Sequence, residues 1–251
     1  MHKPLEGKTI ILTGSQKTTT VTEQIQSYGG NVVVCPLIKT VELIQFNDLI
    51  LLESAKTYEW LIFTSQNGVE YFCKKMNRYR MDSSHFLGKI AAVGERTAEL
   101  LERNGFQVSF MPTIYSADVF VKEFPFVSGE NPTCLFIRGE KAKDTLRTGL
   151  PFSITEWNVY TTVEDEKYIN QLKNTIESNC NPVIIFASPS AVDCYEKFVV
   201  PTIGWHEVTI ASIGHVTTKA LEKHGAQVTY QPKKYTMQSV IEEIVKGEKN
   251  K

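Results

Sequence analysis

Glycine, hydroxyl and basic side chains recur at six places in this 251-residue chain where they could bind an anionic ligand. Each place follows a short apolar, β-branched run typical of a buried strand and precedes a stretch with helical periodicity. The carboxyl ends of parallel strands and the adjacent helix N-termini offer free N–H groups that attract carboxylates or phosphates. One Ser or Thr at a helix start is usually only an N-cap, but six such turns together predict a binding site. The turns are Thr13–Ser15, Thr64–Asn67, Gly94–Thr97, Arg138–Lys141, Ser188–Ser190 and Gly214–Thr218.

Basic side chains near these turns supply local positive charge. The whole chain has a formal net charge of -1, so no overall field attracts nucleic acid or a membrane surface. Affinity for an anionic ligand must therefore come from local clustering. The basic residues in question are Lys17, Arg96, Arg138, Lys141, Lys143 and Arg147.

A tyrosine at the end of a predicted strand is suited to proton transfer. Tyr160 ends the run EWNVY, just before a stretch with little periodicity. Its phenol can act as a weak acid or as a hydrogen-bond donor. The alternative without a functional role is a half-buried strand tyrosine.

Motifs for several other chemistries are absent from the sequence. It contains no GxxxxGK[ST], no GxGxxG after a strand and no GxSxG. The five histidines lack zinc spacing, and His215 alone lies on one of the six turns. We therefore expect neither a metal nor an organic cofactor.

The cysteines and the N-terminus indicate a cytoplasmic protein. The five cysteines form no CxxC pair and lie in or beside apolar runs, so we expect all five to be reduced core residues. The first residues, MHKPLEGK, lack the apolar core of a signal peptide. No apolar run approaches the ~20 residues of a membrane span. We expect a cytoplasmic monomer without membrane contact.

The chain repeats itself, which predicts two similar units with a ligand cleft between them. Residues 90–124 match residues 210–244 without a gap, and 12 of the 35 positions are identical. Apolar runs without alternation predict a mostly parallel sheet covered by helices on both faces, an α/β fold. We expect one strand over 31–38, a loop at Asn67-Gly68, and little regular structure over 39–48.

Several motifs together resemble the uroporphyrinogen-III synthase family in their order and spacing, from Lys8 to Glu243. The resemblance implies two flavodoxin-like, doubly wound domains joined by a two-stranded linker, with the active site in the cleft. It implies one domain of 1–37 and 165–251, an inserted domain of 40–160, and linkers at 38–39 and 161–164. The motifs are FTSQNGVEYF (63–72), IAAVGERTAELLERNGFQV (90–108), MPTIYSADVF (111–120), VYTT (159–162), FASPSAVDCY (186–195) and IASIGHVTTKALEKHGAQV (210–228).

The resemblance also implies an activity. Members of the family are cofactor-free lyases that remove the hydroxyl of linear hydroxymethylbilane as water. They then close the macrocycle with inversion of ring D to give uroporphyrinogen III in heme biosynthesis. The substrate carries many carboxylates and no phosphate, which suits turns that are rich in hydroxyl and N–H donors. A transient contact with hydroxymethylbilane synthase is expected from pathway logic, because the substrate cyclises spontaneously.

Residue roles follow from the same resemblance. Tyr160 matches the tyrosine of the family's VY motif, which implies that it assists departure of the hydroxyl. Arg138, on a strand end, is a further expected substrate-binding residue. Where many members have an arginine after the first strand's threonine, this chain has Gly14, and whether Lys17 replaces that arginine stays open. The hydroxyl residues expected to bind substrate carboxylates are Ser65, Thr97, Ser188, Thr217 and Thr218.

Two other readings remain. A non-catalytic tetrapyrrole- or anion-binding protein with the same fold would form no isomer III, and the retained Tyr160, Ser65 and Thr217 argue against it. A two-domain sugar- or amino-acid-binding protein is disfavoured by the missing secretion signal, and a thermal shift with such ligands would be needed to revive it.

Overall fold

The computed structural model describes residues 3–14 and 19–249, and the chain forms two compact units. Unit 1 comprises Met1–Lys39 and Val163–Lys251, and unit 2 comprises Thr40–Thr162. Ser15 and Lys17, which belong to the first predicted turn, lie outside the described residues.

The described part of unit 1 contains a five-stranded parallel sheet. Its strands lie in the order β11-β10-β9-β1-β2. Numbered along the chain within this unit, that order is 2-1-3-4-5, the order of flavodoxin-like folds. The elements are β1 (Thr9–Leu12), α1 (Thr19–Ser27), β2 (Asn31–Val34), α8 (Glu166–Glu177), β9 (Val183–Phe186), α9 (Pro189–Phe198), β10 (Thr209–Ser212), α10 (His215–Lys223), β11 (Val228–Tyr230) and α11 (Met237–Lys249).

Unit 2 contains a six-stranded sheet in the order β3-β8-β7-β4-β5-β6. The strands from β8 to β6 are parallel. The neighbouring strands β3 and β8 contain the two points where the chain passes between the units. The elements are β3 (Ile38–Glu42), α2 (Asp48–Ala55), β4 (Trp60–Phe63), α3 (Gln66–Arg78), a 3-10 turn (Ser83–His85), β5 (Lys89–Ala92), α4 (Glu95–Arg103), β6 (Val108–Phe110), α5 (Ala117–Glu123), α6 (Pro125–Ser128), β7 (Cys134–Gly139), α7 (Thr145–Gly149) and β8 (Thr155–Glu164).

The sequence repeat and the two units divide the chain differently. The bounds of β5, α4 and β6 in unit 2 differ by a constant 120 residues from those of β10, α10 and β11 in unit 1. Both strand pairs also change register at the same place, after Ile90 and after Ile210. By sheet position, β7 and β8 correspond to β1 and β2. Each unit therefore combines the first two strands of one repeat with the last three of the other, and unit 2 has β3 as a sixth strand.

Apolar central strands make each unit a three-layer structure. Every residue of β1, β4 and β9 is buried. Apolar clusters fill the space between the sheet and the helices on its two faces, two clusters in each unit. The expected doubly wound α/β fold is confirmed, and it brings the carboxyl ends of neighbouring strands to one edge of each sheet.

Two local predictions are wrong. Asn67 and Gly68 lie inside α3 rather than in a loop, because Ser65 caps this helix and accepts a hydrogen bond from the Gly68 N–H at 3.1 Å. The single strand expected over 31–38 is split into β2 and the start of β3. Pro36 lies in the interruption, and proline has no N–H with which to continue a ladder.

The stretch 39–48 has more regular structure than its sequence pattern predicts, since it contains most of β3 and the first residue of α2. Side chains of α3 hold this stretch in place. Lys75 is fully buried and its ammonium lies 2.6 Å from Oδ2 of Asp48. Arg78 donates two hydrogen bonds to Glu42, at 2.8 and 2.7 Å.

Candidate active site

Tyr160 and Ser65 meet at the carboxyl edge of the unit 2 sheet. Tyr160 lies on β8 and Ser65 follows β4, and these strands flank β7 on either side. The Tyr160 hydroxyl lies 3.2 Å from Oγ of Ser65, within hydrogen-bond distance. Because Ser65 also accepts the N–H of Gly68, its hydroxyl is fixed in direction by the start of α3. A partly exposed phenol with a hydrogen-bonded oxygen is thus oriented at this edge.

Gly139 makes room for the Tyr160 ring. A Cβ atom at position 139 would lie 2.5 Å from Cζ of Tyr160, far inside van der Waals contact. The register of β7 and β8 shifts between Arg138 and Gly139, so that Gly139 pairs with Tyr160. The glycine on β7 therefore lets the phenol pass close to the strand and reach Ser65 beyond it.

A second tyrosine packs on the first. The rings of Tyr71 and Tyr160 stack with centroids 5.4 Å apart and an angle of 20° between their planes. The Tyr71 hydroxyl donates to the carbonyl of Thr40 at 2.7 Å and lies 3.1 Å from the Thr40 hydroxyl. The ammonium of Lys74 lies 4.4 Å from the centroid of the Tyr71 ring.

The N-terminus of α4 lies at the same edge of unit 2. Gly94 is its N-cap and supplies no side-chain hydrogen bond, so the first N–H groups face the edge without a side-chain cap. Thr97, in the first turn, is buried to 5% exposure. Arg96 is exposed and forms no ion pair with any residue in 3–14 or 19–249. This turn therefore combines helix N–H groups with a cation that is unpaired within the described chain.

Arg138 lies at the same edge, but its guanidinium is buried to 4% exposure. It forms a close ion pair with Glu156 and lies 3.4 Å from Asp144. It also donates to the carbonyl of Ala142. A substrate carboxylate at Arg138 would have to replace one of these partners. No long helix follows β7 here, since α7 has five residues and begins at Thr145.

The predicted hydroxyl residues of unit 1 lie at the carboxyl edge of its own sheet. Ser188 caps α9 and accepts the N–H of Ala191 at 3.3 Å. Thr217 lies in the first turn of α10 and is buried to 3% exposure. The hydroxyl of Thr218 instead faces Ser212, at 2.5 Å, and Gln231. Thr218 is thus engaged by its own unit, whereas Ser188 and Thr217 lie in helix N-terminal turns.

Comparisons with known proteins decide the family. The uroporphyrinogen-III synthase HemD family model matches residues 19–242. The chain belongs to the uroporphyrinogen-III synthase family.

Relatives in other organisms agree. The porphyrin biosynthesis protein HemD of Ruminiclostridium josui is 26% identical over 98% of this chain. The chain spans about half the length of that relative, since the match covers 49% of it. The uroporphyrinogen-III synthase of Chlorobaculum parvum is 24% identical over 96% of this chain and 99% of its own length. This family consists of cyclising lyases of porphyrin biosynthesis.

Solved structures of the same family share the fold. The synthase of Helicobacter pylori matches with a TM-score of 0.64 at 20% identity, over 94% of this chain and 97% of that chain. A mutant synthase of Thermus thermophilus matches with a TM-score of 0.63 at 15% identity, over 97% of this chain and 100% of that chain. At such low identities the similarity shows the fold alone. The roles of individual residues in this chain must be argued from its own geometry.

The thiols of the chain differ in one respect from the expectation. Cys35, Cys73, Cys134 and Cys194 are buried, but Cys180 is exposed, so the prediction of five core cysteines is wrong for Cys180. Burial raises the pKa of Cys35, Cys73 and Cys194 to about 11. Burial, together with the charge of Glu59, raises the pKa of Cys134 to about 12. The buried thiols are therefore protonated and unreactive at neutral pH.

Neither a metal-binding cluster nor a membrane-spanning helix occurs among the described residues. Within 3–14 and 19–249, no group of three or more His, Cys, Asp or Glu side chains is placed to hold a metal ion. None of the helices in those ranges combines the length and apolar character of a membrane span.

Sequence reasoning missed three contributors to the Tyr160 environment. Tyr71 lies within α3, where a tyrosine beside Phe72 resembles an ordinary core residue. Its partner Thr40 lies in a stretch without clear periodicity. Gly139 lies in a predicted turn, but only the strand order β8-β7-β4 shows that it separates Tyr160 from Ser65. The sequence repeat shows which positions of the two halves are equivalent, but it does not show which strands are neighbours. It could not reveal these contacts, because each unit combines strands from both halves.

Proposed function

We propose that Tyr160 is the proton donor in the uroporphyrinogen-III synthase reaction of this chain and that Ser65 orients it. The observation that supports this proposal is the 3.2 Å contact between the two hydroxyls at the carboxyl edge of unit 2. A phenol whose oxygen is hydrogen-bonded to a serine that caps a helix has a defined orientation. Such pre-organisation is what general acid catalysis requires.

The chemistry balances with one proton donor. The C–O bond of the hydroxymethyl group breaks, the hydroxyl leaves as water with the Tyr160 proton, and the pyrrole nitrogen supplies electrons to form an azafulvene cation. Ring D attacks this cation through its substituted carbon and forms a spiro intermediate, and the older bond from that carbon to its methylene bridge then breaks to leave an azafulvene on ring C. The free α-carbon of ring D attacks this second azafulvene, and the proton it loses as the ring becomes aromatic again restores the phenol. The partly exposed Tyr160 ring has negative π density on its face, which stabilises a nearby cation.

The substrate carboxylates are bound, in this proposal, by helix N-termini and by exposed basic side chains. In unit 2 these are the first turn of α4, with Thr97, and the unpaired Arg96. In unit 1, Ser188, Thr217 and Thr218 are proposed to bind carboxylates, with Ser188 and Thr217 in first turns of helices. Arg138 is proposed to bind a substrate carboxylate only by exchange with Glu156 or Asp144, which already accept from it.

The cellular setting is also part of the proposal. We place the chain in the cytoplasm, acting as a monomer on a linear tetrapyrrole polycarboxylate without a cofactor. Its free cysteines fit a reducing compartment. A transient contact with hydroxymethylbilane synthase would limit spontaneous closure of the substrate.

A coupled assay tests the activity. Porphobilinogen and hydroxymethylbilane synthase are supplied with and without the folded chain, and the oxidised porphyrin isomers are separated by chromatography. The proposal predicts mainly isomer III when the chain is present. Isomer I alone would reject the activity and favour a tetrapyrrole-binding protein of the same fold.

A further inference from the structure

The contacts of Tyr71 assign it a task in the reaction. We infer that Tyr71 is a positioning residue that fixes the ring plane of Tyr160, and this inference rests on the proposed role of Tyr160. The two rings are 5.4 Å apart and within 20° of parallel, so rotation of the Tyr160 ring is limited by the face of Tyr71. Offset stacking of this kind is favourable beyond simple burial of area.

Tyr71 is itself immobilised at its far end. Its hydroxyl donates to the Thr40 carbonyl at 2.7 Å, which ties the ring to β3. The side chain is 7% exposed, so this polar group has its partner inside the unit. Because both packing and a hydrogen bond hold the Tyr71 ring, it has a fixed orientation against which the Tyr160 ring can pack.

The neighbouring turns of α3 strengthen this support. Tyr71, Lys75 and Arg78 project from one side of the helix toward β3 and the residues after it. Lys75 contacts the Leu43 carbonyl at 2.6 Å and Arg78 pairs with Glu42. Although partial burial raises the pKa of Glu42, hydrogen bonding to Arg78 and the charge of Lys75 hold that pKa below its usual value. Helix α3 therefore has a fixed distance to β3, and so has Tyr71.

The same helix positions the other partner of Tyr160. Ser65 is the N-cap of α3, and Tyr71 lies about one and a half turns further along. The phenol oxygen of Tyr160 is thus fixed by Ser65, and its ring plane is fixed by Tyr71. One helix thereby supplies both constraints on the proposed proton donor.

A double-mutant cycle on kcat tests this inference, with substrate KM, product isomers and melting temperature recorded for every variant. The set is Tyr71→Leu, Tyr71→Phe, Tyr160→Phe and the combination of Tyr71→Leu with Tyr160→Phe. Tyr195→Phe is the matched control, because Tyr195 also stacks on an aromatic ring, that of Trp205, and donates to a backbone carbonyl, that of Gly204.

We expect Tyr71→Leu to lower kcat roughly tenfold with KM changed less than about twofold, since misplacement of a catalytic group slows the chemical step. Tyr71→Phe keeps the stack and should retain most of the activity, while Tyr195→Phe should turn over like the wild type. In the Tyr160→Phe background, Tyr71→Leu should have almost no further effect on kcat. Should Tyr71→Leu fail to fold, the same cycle with Tyr71→Met decides, because methionine also removes the stacked ring while filling more of its space.

Two results would overturn the inference. One is an equal loss of kcat from the Tyr71 substitution in both backgrounds, which would make its role independent of Tyr160. The other is wild-type kcat in a folded Tyr71→Leu variant. A wild-type rate in Tyr160→Phe would instead reject the proposed proton donor, and the inference would fail with it.

Discussion

Gly139 on β7 lies so close to the Tyr160 ring on β8 that a Cβ atom at position 139 would be 2.5 Å from Cζ of Tyr160. Gly139→Ala should therefore displace the phenol from Ser65 and lower kcat roughly tenfold or more. The fold should survive, because the ring can swing outward. Steady-state kinetics and circular dichroism measure the two effects. Gly247→Ala is the control. Gly247 lies on α11, and a Cβ atom there would be 2.4 Å from Cε1 of Tyr230 on β11, a similarly close contact in unit 1. Unchanged kcat in folded Gly139→Ala would contradict the account.

Arg96 should contribute to substrate binding and little to the chemical step. Removal of an exposed charge that faces a carboxylate costs up to about 1 kcal/mol, so Arg96→Gln should raise KM about three- to fivefold with kcat nearly constant. Arg103→Gln on the same helix is the matched control, because Arg103 pairs with Glu99 at the opposite end of α4. The effect of Arg96→Gln should shrink at high ionic strength. Equal KM values for the two variants would remove Arg96 from the binding site.

Lys75 should be important for the stability of unit 2. Its side chain and that of Asp48 are both 0% exposed, and the second carboxylate oxygen of Asp48 has no hydrogen-bond partner among the described residues. Lys75→Met leaves the buried carboxylate with only Arg78, 4.0 Å away, as a cation and should lower the free energy of unfolding by about 3 kcal/mol. Urea denaturation in a Trp205→Phe background measures this, because Trp60 and Trp157 then report unit 2 alone.

The exposed pair of Lys56 and Glu53, at 2.7 Å on α2, is the control for that measurement. Lys56→Met should change the free energy of unfolding by less than about 1 kcal/mol, since exposed pairs contribute little. Similar losses in both variants would show that burial does not make the Lys75 pair special.

The four buried thiols should make the chain less stable in alkaline solution. Their pKa values are raised from 9.0 to about 11 or 12, because burial disfavours the thiolate. A group whose pKa is raised on folding contributes its full stability below the unfolded pKa and loses it as the pH rises through the folded pKa. The urea midpoint should therefore fall between pH 9 and about 11.

Thiol variants separate this effect from other alkaline titrations. Cys134→Ala should make the fall of the urea midpoint with pH less steep. Cys180→Ser should leave the steepness unchanged, because Cys180 is exposed. Equal steepness in the wild type and in Cys134→Ala would argue against burial as the cause.

Part of the fold and of the site could be predicted from residue patterns. Gly94 and Gly214 mark equivalent strand–helix turns because a constant 120-residue offset preserves the periodicity on both sides of them. Ser65 and Tyr160 could be named one at a time, since each lies at or just after the end of a predicted strand, although β8 continues past Tyr160 to Glu164. The contact between their hydroxyls could not be derived, because it depends on β7 lying between β4 and β8. Local periodicity does not determine the order of strands in a sheet.

Contacts over long separations account for the other omissions. Tyr71 is joined to Thr40 over 31 residues, and Lys75 to Asp48 over 27. In the sequence, Lys75 reads as a solvated helix residue, because lysine is almost never fully buried without a partner. Cys180 is the opposite error, because it was expected to be buried and is exposed. Its position beside an apolar run does not decide whether its side chain faces the core or the solvent.

The central claim is that the Tyr160 hydroxyl donates the proton that departs with the substrate hydroxyl. Single-turnover kinetics of Tyr160→Phe with hydroxymethylbilane, followed by separation of the porphyrin isomers, test it most directly. The account predicts a rate about 100-fold below that of the wild type and of Tyr195→Phe, with isomer I replacing isomer III as spontaneous closure wins, while the fold is retained. A folded Tyr160→Phe that forms isomer III at the wild-type rate would contradict it.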